Sequence, residues 1–173
     1  MDDLGNKRRE NTFESVFDAY YDRIYRYAYM LLLNKEDAED VTSETFISAY
    51  ANYSRYDAEK ASVATWLTRI AHNRAVNLMR SPAYAKRAEI RGEQKKTYVS
   101  DFTGQVENAD TVLRLYALLA PEERELLNLR CVMELKDREI AALLNLKEKT
   151  VNKRFHRLLA KCRKLLTDSG ETE

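Results

Sequence analysis

Glycine and proline are scarce in this 173-residue chain, which contains four glycines and two prolines. All-β sandwiches and barrels depend on frequent turns rich in these residues, so their scarcity argues against such folds. Because 45% of the residues are hydrophobic, the chain has enough apolar material for one ordinary core or two small ones, and too much for intrinsic disorder. A mainly helical protein is the first expectation.

Long apolar runs and cysteine clusters are also missing. The longest apolar run, Tyr27 to Leu33, is far shorter than the roughly 20 residues of a membrane span. The start Met1-Asp2-Asp3 does not resemble a signal peptide, so we expect a cytoplasmic protein without membrane insertion. Cys131 and Cys162 lie among apolar residues of helical spacing, which predicts two buried thiols and neither a disulfide nor a metal site. We expect no cofactor.

Net charge is nearly absent, at +1, but this balance hides an alternation along the chain. Residues 1–50 carry a net charge of −5 and residues 51–100 carry +6. Residues 101–135 carry −4, residues 136–166 carry +7, and residues 167–173 carry −3. The alternation suggests two modules, each with an acidic and a basic part, so nucleic acid is a possible partner.

The sequence predicts an all-α protein of two helical domains. Residues 11–81 form a three-helix bundle, and residues 109–167 form a four-helix domain that includes a helix-turn-helix. Residues 82–108 are predicted to be a flexible linker, because the 3.6-residue period fades after Pro82 while basic side chains and two glycines appear.

Apolar spacing and caps predict the individual helices. In the first domain, one helix runs from Phe13 to Leu31, a second begins after a cap at Asn34, and a third runs from Val63 to Arg80. In the second domain the predicted helices are 110–119, 121–133, 137–144 with Asp137 as N-cap, and 148–166.

The strongest local signal is the run from Asp137 to Leu159, in which a short capped helix and a tight turn precede a basic amphipathic helix. This is the layout of a helix-turn-helix, whose second helix enters the major groove of DNA. A solvated basic face on a packing helix is the alternative interpretation. The polar residues at the leading end of the basic helix are Lys149, Thr150, Asn152, Lys153, Arg154 and Arg157.

The third helix of the first domain carries a second polar face, away from Leu67, Ala71 and Leu78. The loop before Trp66 combines an aromatic ring with short polar groups, which is suited to an unstacked base. An ordinary solvated helix face and surface loop remain an alternative. The candidate residues are Tyr56, Lys60 and Ser62 in the loop and Arg69, Asn73, Arg74, Asn77 and Arg80 on the helix.

Clustered carboxylates mark the second helix, where no Glu-x-x-His motif accompanies them. Helix-dipole stabilisation explains those in the first turn, and an acidic docking face for a basic partner is the functional alternative. We find no support for catalysis in the sequence. The candidate docking residues are Asp37, Glu39, Asp40 and Glu44.

Three segments in this order resemble the extracytoplasmic-function (ECF) group of bacterial sigma-70 factors. They are the acidic run Lys35 to Phe46, the run Trp66 to Ala75, and Glu139 to Leu144 followed by Thr150-Val151 at the start of a basic helix. The resemblance covers nearly the whole chain. It implies that the first domain corresponds to sigma region 2 and the second to sigma region 4.

The resemblance also implies roles for the candidate residues. The carboxylates from Asp37 to Glu44 would face the clamp helices of the largest subunit of core RNA polymerase, and the flap of the second-largest subunit would be a further partner. The loop from Tyr56 and the helix face from Arg69 would recognise and open the promoter minus-ten element. The residues from Lys149 to Arg157 would read the minus-thirty-five element, and an anti-sigma factor is a further implied partner.

Two positions depart from the family pattern, and two other functions remain open. Ser43 stands where the family often has Gln, and Asn145 stands where the turn often has Gly, although Asn tolerates the left-handed conformation. A stand-alone DNA-binding regulator would instead bind an operator tightly without polymerase. A helical enzyme is disfavoured, because the sequence offers neither a nucleophile–base pair nor a ligand cluster.

Overall fold

The computed structural model describes residues 12–92 and 109–170, which contain eight α-helices and no strand. The chain divides into two compact units, Met1–Leu78 and Met79–Glu173. The all-α prediction is therefore confirmed. Up to the boundary between the units lie α1 (Phe13–Leu32), α2 (Lys35–Asn52), a 3₁₀ turn (Tyr53–Arg55) and α3 (Val63–Met79). After it lie α4 (Pro82–Gly92), α5 (Ala109–Leu118), α6 (Pro121–Cys131), α7 (Asp137–Leu144) and α8 (Glu148–Gly170).

In the first unit α1 and α2 pack most extensively against each other. A two-residue connection reverses the direction of the chain between them. Leu33 ends α1 in the left-handed conformation with φ 52°, and its N–H donates to the carbonyl of Tyr29 at 2.7 Å. Asn34 then caps α2, since its Oδ1 accepts from the N–H of Asp37 at 2.9 Å. The predicted cap at Asn34 is confirmed.

Small and β-branched residues make up much of the buried faces of α2 and α3, together with Phe46 and Leu67. Leu67, Ala71 and Ala75 are fully buried on α3, where Leu67 and Ala71 were predicted to face inward. Leu78 was also predicted to face inward but is only partly buried. The buried hydroxyl of Thr68 donates to the carbonyl of Ala64 at 2.6 Å, so this polar group needs no partner on another helix.

In the second unit α8 packs against α5, α6 and α7. Its buried residues Val151, Leu158 and Cys162 share one side of the helix, as the apolar stripe predicted, whereas Leu166 at the end of the stripe is 43% exposed. Burial raises the pKa of Tyr116, and the nearby thiols add to this shift.

Two capping details differ from prediction or were not foreseen. Asp137 is the first residue of α7 and not its cap; the cap position is Lys136, whose N–H donates to the Glu139 carboxylate at 2.9 Å. The N–H of Ala120 likewise donates to Glu123 at 2.9 Å at the start of α6. In both helices a glutamate three residues after the cap position satisfies an otherwise unpaired N–H.

Residues 82–92, the first part of the predicted linker, form the helix α4. Pro82 occupies the first position of this helix, where its missing N–H costs nothing, and the Ser81 hydroxyl accepts from the N–H of Tyr84 at 3.2 Å. The helix ends at Gly92, the first glycine after Gly5. Residues 93–108 of the predicted linker lie outside the described residues.

The two cysteines are free thiols in different surroundings. Cys162 is buried as predicted, whereas Cys131 is exposed, so the prediction of a buried thiol is wrong there. Desolvation by neighbouring protein atoms raises the pKa of both thiols. Within the described ranges, no helix combines the length and apolar character needed to cross a membrane.

Candidate nucleic-acid and protein interfaces

A three-residue turn joins α7 and α8, and its geometry depends on Asn145. This residue has φ 53° and ψ 46°, the left-handed conformation that its side chain was expected to tolerate. The N–H of Leu146 donates to the carbonyl of Ala141 at 2.9 Å, and the N–H of Thr150 donates to the carbonyl of Lys147 at 2.8 Å. The turn therefore ends one helix and starts the next with backbone hydrogen bonds on both sides.

The leading end of α8 presents its polar residues away from the core. Val151 is fully buried and Leu158 nearly so, which fixes the rotation of the helix. Thr150 is partly buried next to Val151. The other predicted DNA-contacting residues of this helix are all exposed: Lys149, Asn152, Lys153, Arg154 and Arg157.

Asp137 connects three elements of the second unit. One carboxylate oxygen accepts from Nη1 of Arg130 on α6, and the other accepts from Nδ2 of Asn152 on α8 at 3.2 Å. The same Arg130 guanidinium lies over the ring of Phe155 at 5.4 Å from its centroid and reaches the carbonyl of Leu135 at 3.5 Å. Sequence reasoning missed this bridge, because Asp137 was interpreted only as a cap.

The polar face of α3 is exposed along its length. Its five predicted residues are exposed, while Leu67, Ala71 and Ala75 are buried on the other side. The α3 face, as we call it, consists of Arg69, Asn73, Arg74, Asn77 and Arg80. Arg69, Asn73 and Asn77 follow one another at four-residue spacing on α3, whereas Arg80 comes directly after the last residue of the helix, Met79.

One residue of the α3 face also contacts α2. Nη1 of Arg74 lies 3.2 Å from Oε2 of Glu44, and both side chains are about half exposed. This ion pair joins a residue predicted to contact DNA with a residue predicted to contact the polymerase. The two candidate surfaces are therefore neighbours in the first unit.

The loop before α3 is organised by aromatic contacts. The Tyr56 ring lies 5.0 Å from Trp66 and stacks with Tyr53 at 6.2 Å, and its hydroxyl donates to the carbonyl of Ala61 at 2.9 Å. Burial raises the pKa of the Tyr56 phenol, with the neighbouring Tyr53 adding to the shift. The rings of this loop thus contact one another and remain partly exposed.

The other two loop residues have local structural contacts as well as exposure. The Ser62 hydroxyl accepts from the N–H of Thr65 at 3.1 Å and so caps α3. Lys60 is well exposed and forms an ion pair with Asp57 at 3.0 Å. Such an exposed pair contributes about 0–1 kcal/mol, so Lys60 can change partners at little cost.

The candidate acidic surface of α2 has three exposed members and not four. Glu39, Asp40 and Glu44 are exposed, but Asp37 is only 1% exposed. Asp37 shares the buried side of α2 with Val41. The side chain of Asp37 therefore cannot face a partner protein as the resemblance implied.

An exposed apolar surface continues from these carboxylates along α2. Ile47 and Tyr50 are each 70% exposed, and Phe17 on α1 is 39% exposed. Phe17 and Tyr50 are held by ring contacts. The ring centroids of Phe17 and Phe46 are 4.9 Å apart, and those of Tyr50 and Phe13 are 5.3 Å apart. Sequence reasoning missed this surface, although Ile47 and Tyr50 both lie outside the apolar series that predicted the buried side of α2.

Among the described residues, no group of three or more His, Cys, Asp or Glu side chains could hold a metal ion. The chemistry available at these surfaces is charge pairing, hydrogen bonding, ring stacking and apolar contact. These interactions are suited to binding nucleic acid and protein.

The matches to known families separate the chain into the same two parts that carry the candidate surfaces. The family model described as "Sigma-70 region 2" matches residues 16–83. The model described as "Sigma-70, region 4" matches residues 109–162. The first match contains the acidic surface and the α3 face, and the second contains the helix-turn-helix.

Curated relatives match over nearly the full chain. The "ECF RNA polymerase sigma factor SigW" of Bacillus subtilis strain 168 is 32% identical, over 94% of this chain and 92% of the relative. The "RNA polymerase sigma factor YlaC" of the same strain is 26% identical, over 96% of this chain and 98% of the relative.

Two solved structures share the fold. The structure of CnrH in complex with the cytosolic domain of CnrY has a TM-score of 0.65 at 24% identity, covering 90% of this chain and 88% of the other. The structure of the sigma factor RpoE with the anti-sigma factor NepR from Bartonella quintana has a TM-score of 0.69 at 19% identity, covering 90% and 96%.

Proposed function

This chain belongs to the ECF group of the sigma-70 family, and from that membership we propose how its surfaces divide the work of transcription initiation. The chain is a promoter-specificity subunit of bacterial RNA polymerase. The observation that carries this assignment is the pair of region 2 and region 4 matches on the two units that bear the acidic surface and the helix-turn-helix. The proposed functional domains are residues 11–81 and 109–167, joined by residues 82–108.

The outer surface of α2 is the proposed docking site for the clamp helices of the polymerase largest subunit. Glu39, Asp40 and Glu44 supply negative charge, which favours a basic partner and speeds its association. Ile47 and Tyr50 supply the apolar contact area that charges alone lack. Charge would set the orientation of docking, and apolar burial would supply much of the affinity.

The α3 face and the Tyr56 loop are the proposed site for the minus-ten element and for strand opening. The guanidinium groups of Arg69, Arg74 and Arg80 are suited to backbone phosphates, and Asn73 and Asn77 can reach base edges. Unstacking costs a few kcal/mol per base step, and stacking of a base on an aromatic ring returns about 1–3 kcal/mol. Partly exposed rings beside the α3 face therefore support a role in holding an unpaired strand.

The leading end of α8 is the proposed reader of the minus-thirty-five element. Its exposed cations and amide project from a helix-turn-helix, the geometry in which a second helix enters the major groove. A chain with a net charge of +1 should bind DNA weakly by itself, because sequence-independent affinity comes from neutralised phosphates. Docking on polymerase would compensate, since tethered sites gain effective concentration.

Further partners and the site of action follow as part of the proposal. CnrH and RpoE were solved with CnrY and the anti-sigma factor NepR, which supports a comparable inhibitor for this chain. The flap of the second-largest polymerase subunit is the proposed contact of the second unit. Such a subunit would act in the cytoplasm with RNA polymerase and would not itself be an enzyme.

The test is transcription in vitro with purified core RNA polymerase. Core enzyme with the full-length chain is incubated with fragmented genomic DNA, and the transcripts are sequenced to find their start sites. We expect a subset of promoters sharing minus-thirty-five and minus-ten sequences. Core binding without any promoter selection would contradict the proposal.

A mobility-shift assay with the chain alone separates this function from that of a stand-alone regulator. Duplex promoter DNA should shift only when core polymerase is present. Tight operator binding by the chain alone, lost as salt is raised, would favour the regulator instead.

A further inference from the structure

The contacts of Asp137 reach a residue that the proposed function places at the DNA. Asn152 is exposed at the leading end of α8, and its Nδ2 donates to Oδ2 of Asp137 at 3.2 Å. Asp137 in turn is held through Oδ1 by Arg130 and is mostly buried, with a side-chain exposure of 17%. The Asp137 carboxylate, held in place by Arg130, thus contacts the nitrogen end of the exposed Asn152 amide.

The position of this carboxylate is set by groups outside the DNA-facing surface. Arg130 lies over the ring of Phe155 and also reaches the Leu135 carbonyl, so its guanidinium is constrained on several sides. Asp137 is the first residue of α7, where the positive end of the helix dipole favours a negative charge. Both effects fix the carboxylate before any DNA binds.

An ionised carboxylate only accepts hydrogen bonds, so it selects one of the two orientations of the Asn152 amide. The amide nitrogen must face Asp137, and the amide oxygen must face away. One N–H is used by Asp137, which leaves one N–H and one oxygen for a ligand. The amide can then offer one donor and one acceptor together, but not two donors.

This pair of groups matches one base in the major groove. Adenine presents an acceptor at N7 and a donor at N6, and Asn binds both at once. Guanine presents two acceptors, and cytosine and thymine present a single polar group each. We propose that Asp137 is a positioning residue that fixes the Asn152 amide to read an adenine of the minus-thirty-five element.

This inference rests on the proposed function, so the experiment uses the holoenzyme. Core polymerase carrying the full-length chain selects from duplex DNA randomised across the minus-thirty-five region, and the bound DNA is sequenced. For the unsubstituted chain we expect adenine to be enriched at one position. Asn152→Ala should reduce that enrichment by about 5- to 140-fold, the range for loss of one bidentate base contact, and leave other positions unchanged.

Asp137→Asn should weaken the preference for adenine at the same position. The new amide can donate or accept a hydrogen bond, so it no longer selects one orientation of Asn152. The double variant should be no more relaxed than Asn152→Ala alone, since the two residues act through one contact. Glu123→Gln is the matched control: its carboxylate also bridges to α8, at Lys161, and its loss should leave the base preference unchanged.

A merely structural role for Asp137 predicts a lower melting temperature and uniformly weaker binding with no change in base preference, and this result would overturn the inference. Asn152 is exposed, so Asn152→Ala provides a test that does not depend on how well the Asp137 variant folds. Unchanged adenine enrichment with Asn152→Ala would also overturn the inference while leaving the proposed function standing. An unsubstituted holoenzyme that selects no minus-thirty-five sequence would instead contradict the proposed function.

Discussion

Truncating Ile47 tests whether the apolar part of α2 contributes to polymerase docking. The side chain is 70% exposed and lies on the same outer surface as Asp40 and Glu44. Because so much of it is already in water, Ile47→Ala should change the free energy of unfolding by no more than about 0.5 kcal/mol. Any larger effect on polymerase binding would therefore reflect the interface.

The size of the effect follows from the exposed fraction. Full burial of an isoleucine side chain contributes about 1.5–3 kcal/mol, so burying the part now in water would contribute about 1–2 kcal/mol. Alanine keeps only the first carbon of the side chain and would lose most of this contribution. We expect the Kd for core polymerase to rise about 5- to 25-fold.

The assay is competition between labelled and unlabelled chain for core polymerase, followed by fluorescence anisotropy at low and high salt. The weakening from Ile47→Ala should persist at high salt, whereas that from Asp40→Lys should shrink because salt screens exposed charges. Ile47→Leu is the matched control and should bind nearly as the unsubstituted chain does, since it keeps the apolar volume. Equal affinities for Ile47→Ala and the unsubstituted chain would refute the apolar contact.

Three further predictions concern stability and are measured by urea denaturation. Asn34→Ala should lower the free energy of unfolding by about 1 kcal/mol through loss of the α2 cap, with Asn34→Asp as a neutral control; equal effects would contradict the capping role. Asn145→Val should lower the free energy of unfolding by about 1–2 kcal/mol because of the positive φ of Asn145, whereas Asn145→Gly should not lower it. An unchanged free energy of unfolding for Asn145→Val would argue against that turn geometry. Hydrogen bonding from Lys161 lowers the pKa of Glu123, so this carboxylate should stabilise the fold above the usual carboxyl pKa, and the stabilisation should be lost as the pH falls through the lowered pKa. Glu123→Gln should lack this pH dependence, and identical pH profiles for the two proteins would exclude it.

Periodicity and caps were sufficient to predict most helices and the helix-turn-helix. The repeat from Phe13 to Leu31 predicted α1, and Asn34 marked the start of α2. The left-handed turn at Asn145 could be foreseen from the tolerance of asparagine for that conformation. These features depend on residues close in sequence, which is why sequence alone revealed them.

The burial of Asp37 could also have been predicted. It lies four residues before Val41 and eight before Thr45, both on the buried side of α2. Grouping it with the other carboxylates by charge overlooked this helical spacing. The helical period likewise places Ile47 and Tyr50 away from the buried side of α2, where they are exposed to solvent.

Other features depend on information that periodicity lacks. The α4 helix has no clear apolar side, so it was assigned to the linker, although its alanines and long charged residues favour helix locally. The contact between Asp137 and Asn152 joins residues 15 apart across a turn, and only the packed arrangement of the two helices brings them together.

The ion pair between Glu44 and Arg74 has a consequence for how the first unit exchanges partners. Both side chains are about half exposed, so their attraction is screened and contributes about 0–1 kcal/mol. Separating Glu44 from Arg74 therefore costs less free energy than either group could gain from a charge-assisted hydrogen bond to another partner. In the unbound chain Glu44 and Arg74 neutralise each other's charge. Under the proposed function, Glu44 would be released to polymerase and Arg74 to DNA at little cost in free energy.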